Sequence, residues 1–443
     1  MQVPLTYQAS PIDNPLKGLV PFVNQSAATG ATFPHSLQWA YIPLSAVMTG
    51  PNTFDWTQVE GALKNAAADG SQLILRFYLD YPGTSMPKGI PQWLLNGGLT
   101  VYPYPDNGGG TAPNYEDPTL QKALTTFISN LGARYDPDSR LAFIQAGLLG
   151  WWGEWHNGGT VTAHYASLTT QQLVLNAYQS AFKTKKLMVR YAAGTNNTAY
   201  GAAPCFRNDN LPFGYHDDAF CFYTVGTPLW YMVPQQQAAG PGAVNKWQTC
   251  PFGGEIYPDY GTTVWNTPSG APAGQDFATC AKATHASWLG DWKLFTPGAV
   301  TGTALASAKA GAQLLGYEFF VASYETLNNA SRTQTTADVT LKNTGIAPFY
   351  YDNTTWPIQL AAFSGGKIVE TWSTPWSLTG ILPGASVQLP AVPLPNRPTG
   401  SFTLLMRAVN PMTGGRQLRF ANTTQDQTVA GAGWLTLGVV PAL

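Results

Sequence analysis

The chain has 443 residues and a formal net charge of −1, and only 11% of its residues are charged, against about a quarter in an average soluble protein. The sequence has no basic patch that would suit nucleic acid, no acidic tail, and no apolar run near the roughly 18 residues of a membrane-spanning helix. With 13% aromatic and 44% hydrophobic residues, it predicts a well-packed globule that binds a neutral ligand, and carbohydrate fits better than a nucleotide or a polyanion.

Apolar runs of strand length recur through the first 320 residues and alternate with segments of helical periodicity. The eight predicted strands are residues 19–23, 37–44, 73–80, 142–150, 187–192, 219–224, 252–257 and 315–321. The predicted helices are residues 56–68, 118–135, 170–183, 276–290 and 303–313. This alternation predicts parallel βαβ units closed into a (β/α)8 TIM barrel. A doubly wound sheet is the alternative, but no G-x-G-x-x-G follows the first strand.

Helical periodicity ends near residue 323, and short alternating stretches separated by turn signals follow, such as those at 364–366 and 383–384. This pattern predicts an antiparallel β-sandwich. We therefore assign residues 1–323 to the barrel, as a glycosidase-like catalytic domain, and residues 324–443 to a β-sandwich accessory domain. The sandwich is expected to support the barrel or bind glycan.

The segment GWWGEWH at residues 150–156 follows the fourth predicted strand and contains Glu154, one of only seven glutamates in the chain. A carboxyl group among indole rings is costly to ionise, so its pKa should rise towards the range of a general acid. Tryptophan faces also suit stacking on the apolar face of a sugar ring. Glu154 is therefore predicted to be a catalytic acid; a core glutamate with one hydrogen-bonded neighbour is the alternative.

A second carboxyl group, Glu255, ends the seventh predicted strand after Gly253 and Gly254. The carboxyl ends of barrel strands meet at one face, where long glycine- and proline-rich loops build the site, so Glu154 and Glu255 should converge there. Cleavage of a glycosidic bond needs such a pair: one acid protonates the leaving oxygen, and the other attacks the anomeric carbon or activates water. A salt bridge to a barrel arginine is the alternative role for Glu255.

Further polar and aromatic residues near strand ends are candidates for substrate binding, each with a structural role as the alternative. They are Arg76, Tyr78, Asp80, Trp152, Trp155, His156, Arg190, Tyr191, His216, Asp217, Tyr257 and Trp288, with Asp218 beside Asp217. Other possible stacking platforms are Trp39, Tyr41, Trp230 and Trp292. The sequence has neither the spacing of metal ligands nor a G-x-S-x-G motif, so neither a metal nor another cofactor is predicted.

The four cysteines, Cys205, Cys221, Cys250 and Cys280, have no C-x-x-C spacing. We predict disulfides formed in an oxidising compartment, with free buried thiols as the alternative. Cys205 with Cys221 and Cys250 with Cys280 would close local loops, although the sequence permits three pairings. The uncharged polar surface predicts a secreted or periplasmic protein whose signal peptide is not part of this chain.

Seven motifs resemble those of a family of exported microbial proteins of unknown function, which joins a glycosidase-like barrel to a sandwich. They are NPLKG (14–18), RFY (76–78), QAGLLGWWGEW (145–155), HDDAF (216–220), GGE (253–255), HASWL (285–289) and NTGIAP (343–348). More remotely, acids on strands four and seven are similar to those of the retaining glycoside hydrolases of clan A. That resemblance implies Glu154 as acid/base and Glu255 as nucleophile. Those enzymes usually have asparagine before the acid/base, and this chain departs from that pattern with Gly153.

The sequence thus predicts a glycoside hydrolase of retaining type acting on a neutral oligo- or polysaccharide, with Glu255 as general base if the reaction inverts. A carbohydrate-binding protein on an inactive barrel is the main alternative. A polysaccharide lyase with Tyr191 or His156 as base is the second, and the lack of a basic cleft disfavours the uronic acid it would need. The sugar, the linkage, the endo or exo mode and the oligomeric state stay open.

Overall fold

The computed structural model describes residues 2–25, 33–83, 88–158, 164–194, 199–200, 203–266, 274–331 and 333–442. Its largest sheet has eight parallel strands: β1 (Gly18–Val20), β2 (Leu37–Pro43), β3 (Gln72–Tyr78), β4 (Leu141–Gln145), β5 (Lys186–Val189), β6 (Phe213–Phe220), β7 (Phe252–Ile256) and β8 (Trp288–Gly290). Strands adjacent in the chain are adjacent in the sheet, and β8 pairs with β1. A parallel bridge between Phe22 and Trp39 joins β1 to β2. The sheet therefore closes, and the predicted (β/α)8 barrel is confirmed.

The barrel strands are buried on both faces, as in β3 and β4, where every residue is buried. Such strands form where apolar runs lie between a packed interior and a layer of helices. The longer helices are α1 (Thr57–Ala68), α2 (Pro118–Tyr135), α3 (Leu168–Ala181), α4 (Met232–Ala239), α5 (Phe277–Thr284) and α6 (Gly302–Leu314). The carboxylate of Asp117 accepts the N–H groups of Thr119 and Leu120 at the start of α2, and Ser167 and Asp276 cap α3 and α5 in the same way.

Shorter elements lie in the connections between barrel strands. The one-turn helices are Leu44–Val47, Gln92–Asn96, Pro241–Val244 and Thr263–Asn266, and the 3-10 turns are Asp106–Gly108, Lys246–Gln248 and Pro258–Tyr260. The short strand pairs are Met48–Gly50 with Thr53–Phe54, Val101–Tyr104 with Gly110–Pro113, and Ala199–Tyr200 with Ala203–Pro204. None of the helices in the described ranges has both the length and the apolarity needed to cross a bilayer.

Two of the predicted barrel strands are misplaced. The sixth strand is Phe213–Phe220 rather than 219–224. Local hydropathy missed it because it contains the polar residues His216, Asp217 and Asp218. The two aspartates are paired with arginines from elsewhere in the barrel. The eighth strand is Trp288–Gly290, which was predicted as the end of a helix, but α5 ends at Thr284 because His285 adopts a left-handed conformation with φ 53°.

The predicted β-sandwich is confirmed as two four-stranded antiparallel sheets. Its strands are β9 (Phe319–Asn328), β10 (Thr335–Asn343), β11 (Ile358–Ser364), β12 (Lys367–Ser373), β13 (Ser386–Pro393), β14 (Phe402–Ala408) and β15 (Leu435–Val440). One sheet has the order Val3–Pro4, β9, β10, β13, and the other has the order β12, β11, β14, β15. The predicted strand at 315–321 is thus the start of β9, and the predicted boundary at residues 323 and 324 falls inside this strand.

The sandwich packs against the amino-terminal end of the barrel. Tyr351, between β10 and β11, places its ring 6.3 Å from that of Phe143 on β4. Its hydroxyl donates to the Ala142 carbonyl and accepts the N–H of Lys186 at 3.3 Å. The buried Lys17 ammonium donates to the Tyr317 carbonyl at 2.9 Å. This end of the barrel is therefore closed by protein, and a ligand has access at the carboxyl ends of the strands.

The predicted disulfides are absent: Cys205, Cys221, Cys250 and Cys280, all within the described ranges, are buried free thiols. Cys221 lies within hydrogen-bonding distance of Cys280, which matches neither local pairing suggested by spacing. The Cys205 thiol instead faces the Phe206 carbonyl at 3.9 Å, and Cys250 faces the Thr249 hydroxyl at 3.8 Å. Burial raises the pKa of Cys205 to about 12, so this thiol stays protonated at neutral pH.

Candidate active site

The carboxyl ends of the barrel strands open into a cavity of about 1040 Å³, at the upper end of the range for ligand pockets. Three carboxyl groups, Glu154, Asp218 and Glu255, line it together with Arg190 and His156. Ten aromatic side chains form much of the remaining wall: Phe22, Tyr41, Tyr81, Trp151, Trp152, Tyr191, Tyr223, Trp230, Tyr257 and Trp292. The predicted convergence of acids and aromatic rings therefore occurs at this face.

Glu154 lies on a tight turn that follows β4. Trp152 and Trp155 have positive φ angles of 54° and 60°, which non-glycine residues seldom adopt, and Gly153 has φ 70°. A side chain at Gly153 would place its Cβ 2.7 Å from the Phe77 carbonyl oxygen. The asparagine that clan A enzymes usually have at this position therefore does not fit in this backbone. Backbone strain of this kind concentrates at functional sites.

The Glu154 carboxylate has two partners. One oxygen accepts the Arg76 Nη1–H at 3.1 Å, and the other lies 3.3 Å from His156 Nε2. Burial raises the pKa of Glu154 and the negative charge of Asp218 adds to the effect, while His156 and Arg76 act in the opposite direction. The pKa of Glu154 is therefore above its usual range, as the surrounding indoles predict.

Arg76 on β3 bridges two of the three carboxyl groups. Its guanidinium is fully buried, lies 4.6 Å from the Tyr41 ring centroid, and donates to Asp218 Oδ2 at 2.6 Å as well as to Glu154. Burial opposes ionisation of Asp218, but Arg76 and His216 outweigh it and hold the pKa of this carboxyl well below its usual range. Burial lowers the pKa of His216 to about 4, so this ring, 3.0 Å from Asp218, is neutral at pH 7.

Glu255, near the end of β7, is 7% exposed and accepts no hydrogen bond from any residue of the described ranges. Burial raises the pKa of Glu255 well above its usual value; the charges of Asp218 and Glu154 raise it further, and Arg76 opposes them. Gly253 and Gly254 allow close packing, since a Cβ at Gly253 would lie 2.2 Å from the Trp288 ring and one at Gly254 2.1 Å from the Asp217 carbonyl. Glu255 is thus a carboxyl group that holds its proton to a higher pH than an ordinary glutamate does.

Five predicted substrate-binding residues line the cavity: Trp152, His156, Arg190, Tyr191 and Tyr257. Seven others are not among the described residues that line it: Arg76, Tyr78, Asp80, Trp155, His216, Asp217 and Trp288. Arg76 and His216 still belong to the site, because they contact its carboxyl groups from below.

Asp217 faces away from the cavity. Its carboxylate accepts the Thr224 hydroxyl at 2.7 Å and pairs with Arg190 at 3.1 Å. Successive side chains of a strand point to opposite faces, so its neighbour Asp218 is the one that faces the cavity. Of the two predicted candidates, Asp218 therefore lines the cavity and Asp217 does not.

Trp155 and Trp288 are core residues rather than stacking platforms. The Trp155 indole N–H donates to the Ala146 carbonyl at 2.6 Å, and Trp288 is fully buried inside the barrel against Trp39, with ring centroids 5.6 Å apart. Tryptophans near the ends of barrel strands can serve packing instead of ligand binding, and their position in the sequence does not distinguish the two roles.

Asp80 and Tyr78 support the loops around the cavity. Asp80 is 2% exposed and accepts the Tyr104 hydroxyl at 2.5 Å, and burial raises its pKa to about 7. The Tyr78 ring packs edge-on against that of Tyr81, with centroids 5.1 Å apart. Asp80 therefore anchors the hairpin of strands Val101–Tyr104 and Gly110–Pro113, and Tyr78 backs a cavity-lining ring.

Cavity residues that the sequence did not single out include Gln25, Tyr81, Asn107 and Tyr223, besides Phe22, Asn157, Gly158 and Pro258. Tyr81 follows a predicted strand by one residue, so the rule that strand ends carry the site could have identified it. Gln25, Asn107 and Tyr223 lie in connections between barrel strands, and no local sequence pattern reveals where these connections run. Within the described ranges, no three His, Cys, Asp or Glu side chains are grouped as metal ligands.

No family model matches the chain, and no curated protein matches it. Solved structures similar to it are glycoside hydrolases. An endo-glycoceramidase II from Rhodococcus sp. is 13% identical with a TM-score of 0.43, over 81% of this chain and 93% of that one. A β-amylase catalytic domain from Paenibacillus polymyxa is 10% identical with a TM-score of 0.42, over 68% and 98%. A family 39 glycoside hydrolase from Bacteroides cellulosilyticus is 9% identical with a TM-score of 0.38, over 83% and 80%. Resemblance this distant says nothing about activity, and the barrel assignment rests on the strand order itself.

Proposed function

We propose that the protein is a glycoside hydrolase that cleaves a neutral oligo- or polysaccharide with Glu154 and Glu255. The observation that carries the proposal is the meeting of these two carboxyl groups in one aromatic-lined cavity, near enough for the charge of Glu154 to raise the pKa of Glu255. Glycosidic cleavage needs one protonated and one ionised carboxyl group at the same bond. Aromatic walls suit the apolar faces of sugar rings.

By resemblance to clan A, Glu154 is the general acid/base and Glu255 the nucleophile. The free site favours the reverse assignment, because Arg76 is paired with Glu154, whereas Glu255 is the carboxyl whose pKa is raised well above the usual value. In that case Glu255 protonates the leaving oxygen and Glu154 attacks the anomeric carbon. A retaining reaction requires carboxyl groups about 5–5.5 Å apart, and an inverting reaction requires about 6.5–9.5 Å.

The first experiment is a screen of the wild type against a broad panel of neutral polysaccharides and oligosaccharides, with detection of new reducing ends. Glu154→Gln and Glu255→Gln should each abolish the activity found. Glu370→Gln on β12 of the sandwich is the matched control and should leave it unchanged. Hydrolysis that survives in either of the first two variants contradicts the proposed pair.

Azide added to alanine variants assigns the two roles. The variant that lacks the nucleophile should give a glycosyl azide of inverted anomeric configuration, and the variant that lacks the acid/base should give one of retained configuration. The acid/base variant should also keep more activity on a substrate with a good leaving group, which needs no protonation. Product configuration from the wild type, read by NMR, separates retention from inversion.

Two alternatives have distinct outcomes in the same screen. If the wild type binds glycans but cleaves none, and both glutamine variants bind equally well, the protein is a carbohydrate-binding protein. If products absorb in the ultraviolet because they carry a new double bond, it is a polysaccharide lyase. Secretion is proposed from the uncharged surface, and fractionation of cells that produce the protein tests it.

A further inference from the structure

Two tryptophans stand apart from the rest by their exposure. Of the 15 in the chain, all of which lie in the described ranges, only Trp230 and Trp292 are exposed, each at 39%; the others are buried or of intermediate exposure. Both line the active-site cavity. Their shared position in the lining of one cavity, rather than their exposure alone, makes them candidates for contact with a ligand.

Trp230 is held by other aromatic rings on the loop after β6. Its ring meets that of Tyr223 edge-on, with centroids 4.2 Å apart, and that of Tyr231 at 4.8 Å. The Gln235 side chain donates to its backbone carbonyl. A ring fixed in this way loses little conformational freedom when a ligand stacks on it, so the loop presents a preformed apolar face.

Trp292 is held in place by the loop after β8. The neighbouring Asp291 carboxylate accepts the Trp265 indole N–H at 2.6 Å and the N–H groups of Lys293 and Leu294 at 3.1 and 3.2 Å. Gln25 donates to the Trp292 carbonyl. This second ring is therefore also positioned before any ligand arrives.

The strand order places these rings on either side of one catalytic carboxyl group. In the barrel sheet β7, which carries Glu255, lies between β6 and β8. The loops with Trp230 and Trp292 thus leave the barrel on the two flanks of Glu255. The cavity of about 1040 Å³ has room for more than a single small ligand unit.

Charge favours an uncharged occupant. Both arginines of the site are already paired, Arg76 with Glu154 and Asp218, and Arg190 with Asp217. Asp218, whose pKa is held well below its usual range, also lines the cavity, and its negative charge disfavours an anionic chain.

We propose that Trp230 and Trp292 are stacking platforms for two sugar rings of one neutral glycan chain, one on each side of the bond that is cleaved. The enzyme then cuts within a chain rather than removing single terminal sugars. The endo mode rests on the proposed glycosidase function, whereas the stacking sites do not.

The test uses binding in the Glu154→Gln background, so that no ligand is consumed. Ladders of cello-, xylo- and manno-oligosaccharides of two to six rings are titrated against this parent and against versions with Trp230→Ala or Trp292→Ala added. Leu229→Ala is the matched control, because Leu229 is 56% exposed and adjacent to Trp230 but is not a cavity residue. Thermal unfolding of each variant verifies that it is folded.

In the parent, affinity should rise with the length of the oligosaccharide. Each tryptophan variant should bind the longest oligosaccharide of the series that the parent binds about tenfold more weakly. Leu229→Ala should match the parent, and the wild type should release internal fragments from a polymer early in digestion. If both tryptophan variants bind as tightly as the parent, or if no oligosaccharide binds at all, the proposed stacking role is wrong. Release of single sugars alone overturns the endo mode. Length-dependent binding without hydrolysis by the wild type supports the platforms while rejecting the glycosidase function.

Discussion

Each end of the barrel contains a buried glutamate, and the two glutamates differ in their hydrogen-bond partners. Glu318, at the closed end, and Glu255, at the open end, are both 7% exposed. Glu318 accepts hydrogen bonds from Ser10 N–H at 3.1 Å, Gln313 at 2.8 Å and the Thr344 hydroxyl at 2.8 Å, among others. Glu255 accepts none from the described residues and faces two other carboxyl groups.

The difference shows that burial by itself does not identify a functional acid. At the closed end, donors from several segments replace the water that Glu318 loses, so its carboxylate ties the sandwich to the barrel. At the open end no donor does so for Glu255, and its pKa rises well above the usual value because the charged form is poorly solvated. A carboxyl group left in that condition is suited to proton transfer or to attack on a substrate.

The largest expected effect separates these two glutamates. Glu255→Gln should lower hydrolytic activity by about a thousandfold or more, because the site loses one of its two reacting groups. Its stability should be equal or higher, since a poorly solvated acid near two others is removed. Glu318→Gln should retain activity and lower the free energy of unfolding by about 1–3 kcal/mol. Activity assays and urea unfolding measure both, and loss of activity in Glu318→Gln alone would reverse the comparison.

A second large effect is expected at Arg76. Arg76→Met removes the cation that Glu154 and Asp218 share, and loss of one partner from a buried pair costs about 3–5 kcal/mol of stability. The added substitution Asp218→Asn should restore part of that loss, because it removes one unpaired charge. Urea unfolding of the single and double variants measures how much of the lost stability is restored. Additive losses would show that Arg76 does not hold the two carboxyl groups as a unit.

Stability should depend on pH in a direction opposite to that of ion-paired acids. Burial raises the pKa of Asp80 and Asp291 to about 7, so each is protonated in the folded state where the unfolded chain ionises. Their contribution to the free energy of unfolding is fully present below about pH 4 and is lost as pH rises towards 7. Asp80→Asn and Asp291→Asn should each flatten the fall in unfolding free energy between pH 4 and 7. The exposed Asp259→Asn serves as the control; an unchanged slope in the first two variants counts against the assignment.

The smallest effect is expected at the closed end. Tyr351→Phe removes the hydroxyl that bonds to the Ala142 carbonyl and the Lys186 N–H while keeping the ring on Phe143. The free energy of unfolding should fall by about 1 kcal/mol, with hydrolytic activity unchanged. A large loss of activity would mean that the closed end shapes the cavity and would weaken the division between the two ends.

Sequence patterns alone predicted the barrel, the sandwich and the meeting of Glu154 with Glu255 at one face. These features follow from local hydrophobic periodicity and from the rule that parallel strands end at the same side of a barrel. The structure adds that the glycines next to both acids lie where only a backbone without a side chain fits.

Other features were decided by contacts between residues far apart in the chain. Strand β6 is buried despite His216 and two aspartates because Arg76 on β3 and Arg190, the residue after β5, pair with the aspartates. The three-residue β8 is too short to show a period, and its partners on β7 and β1 are what make it a strand. The thiols of Cys221 and Cys280, and the two exposed indoles at the cavity, were likewise brought to their positions by packing, which one-dimensional spacing does not encode.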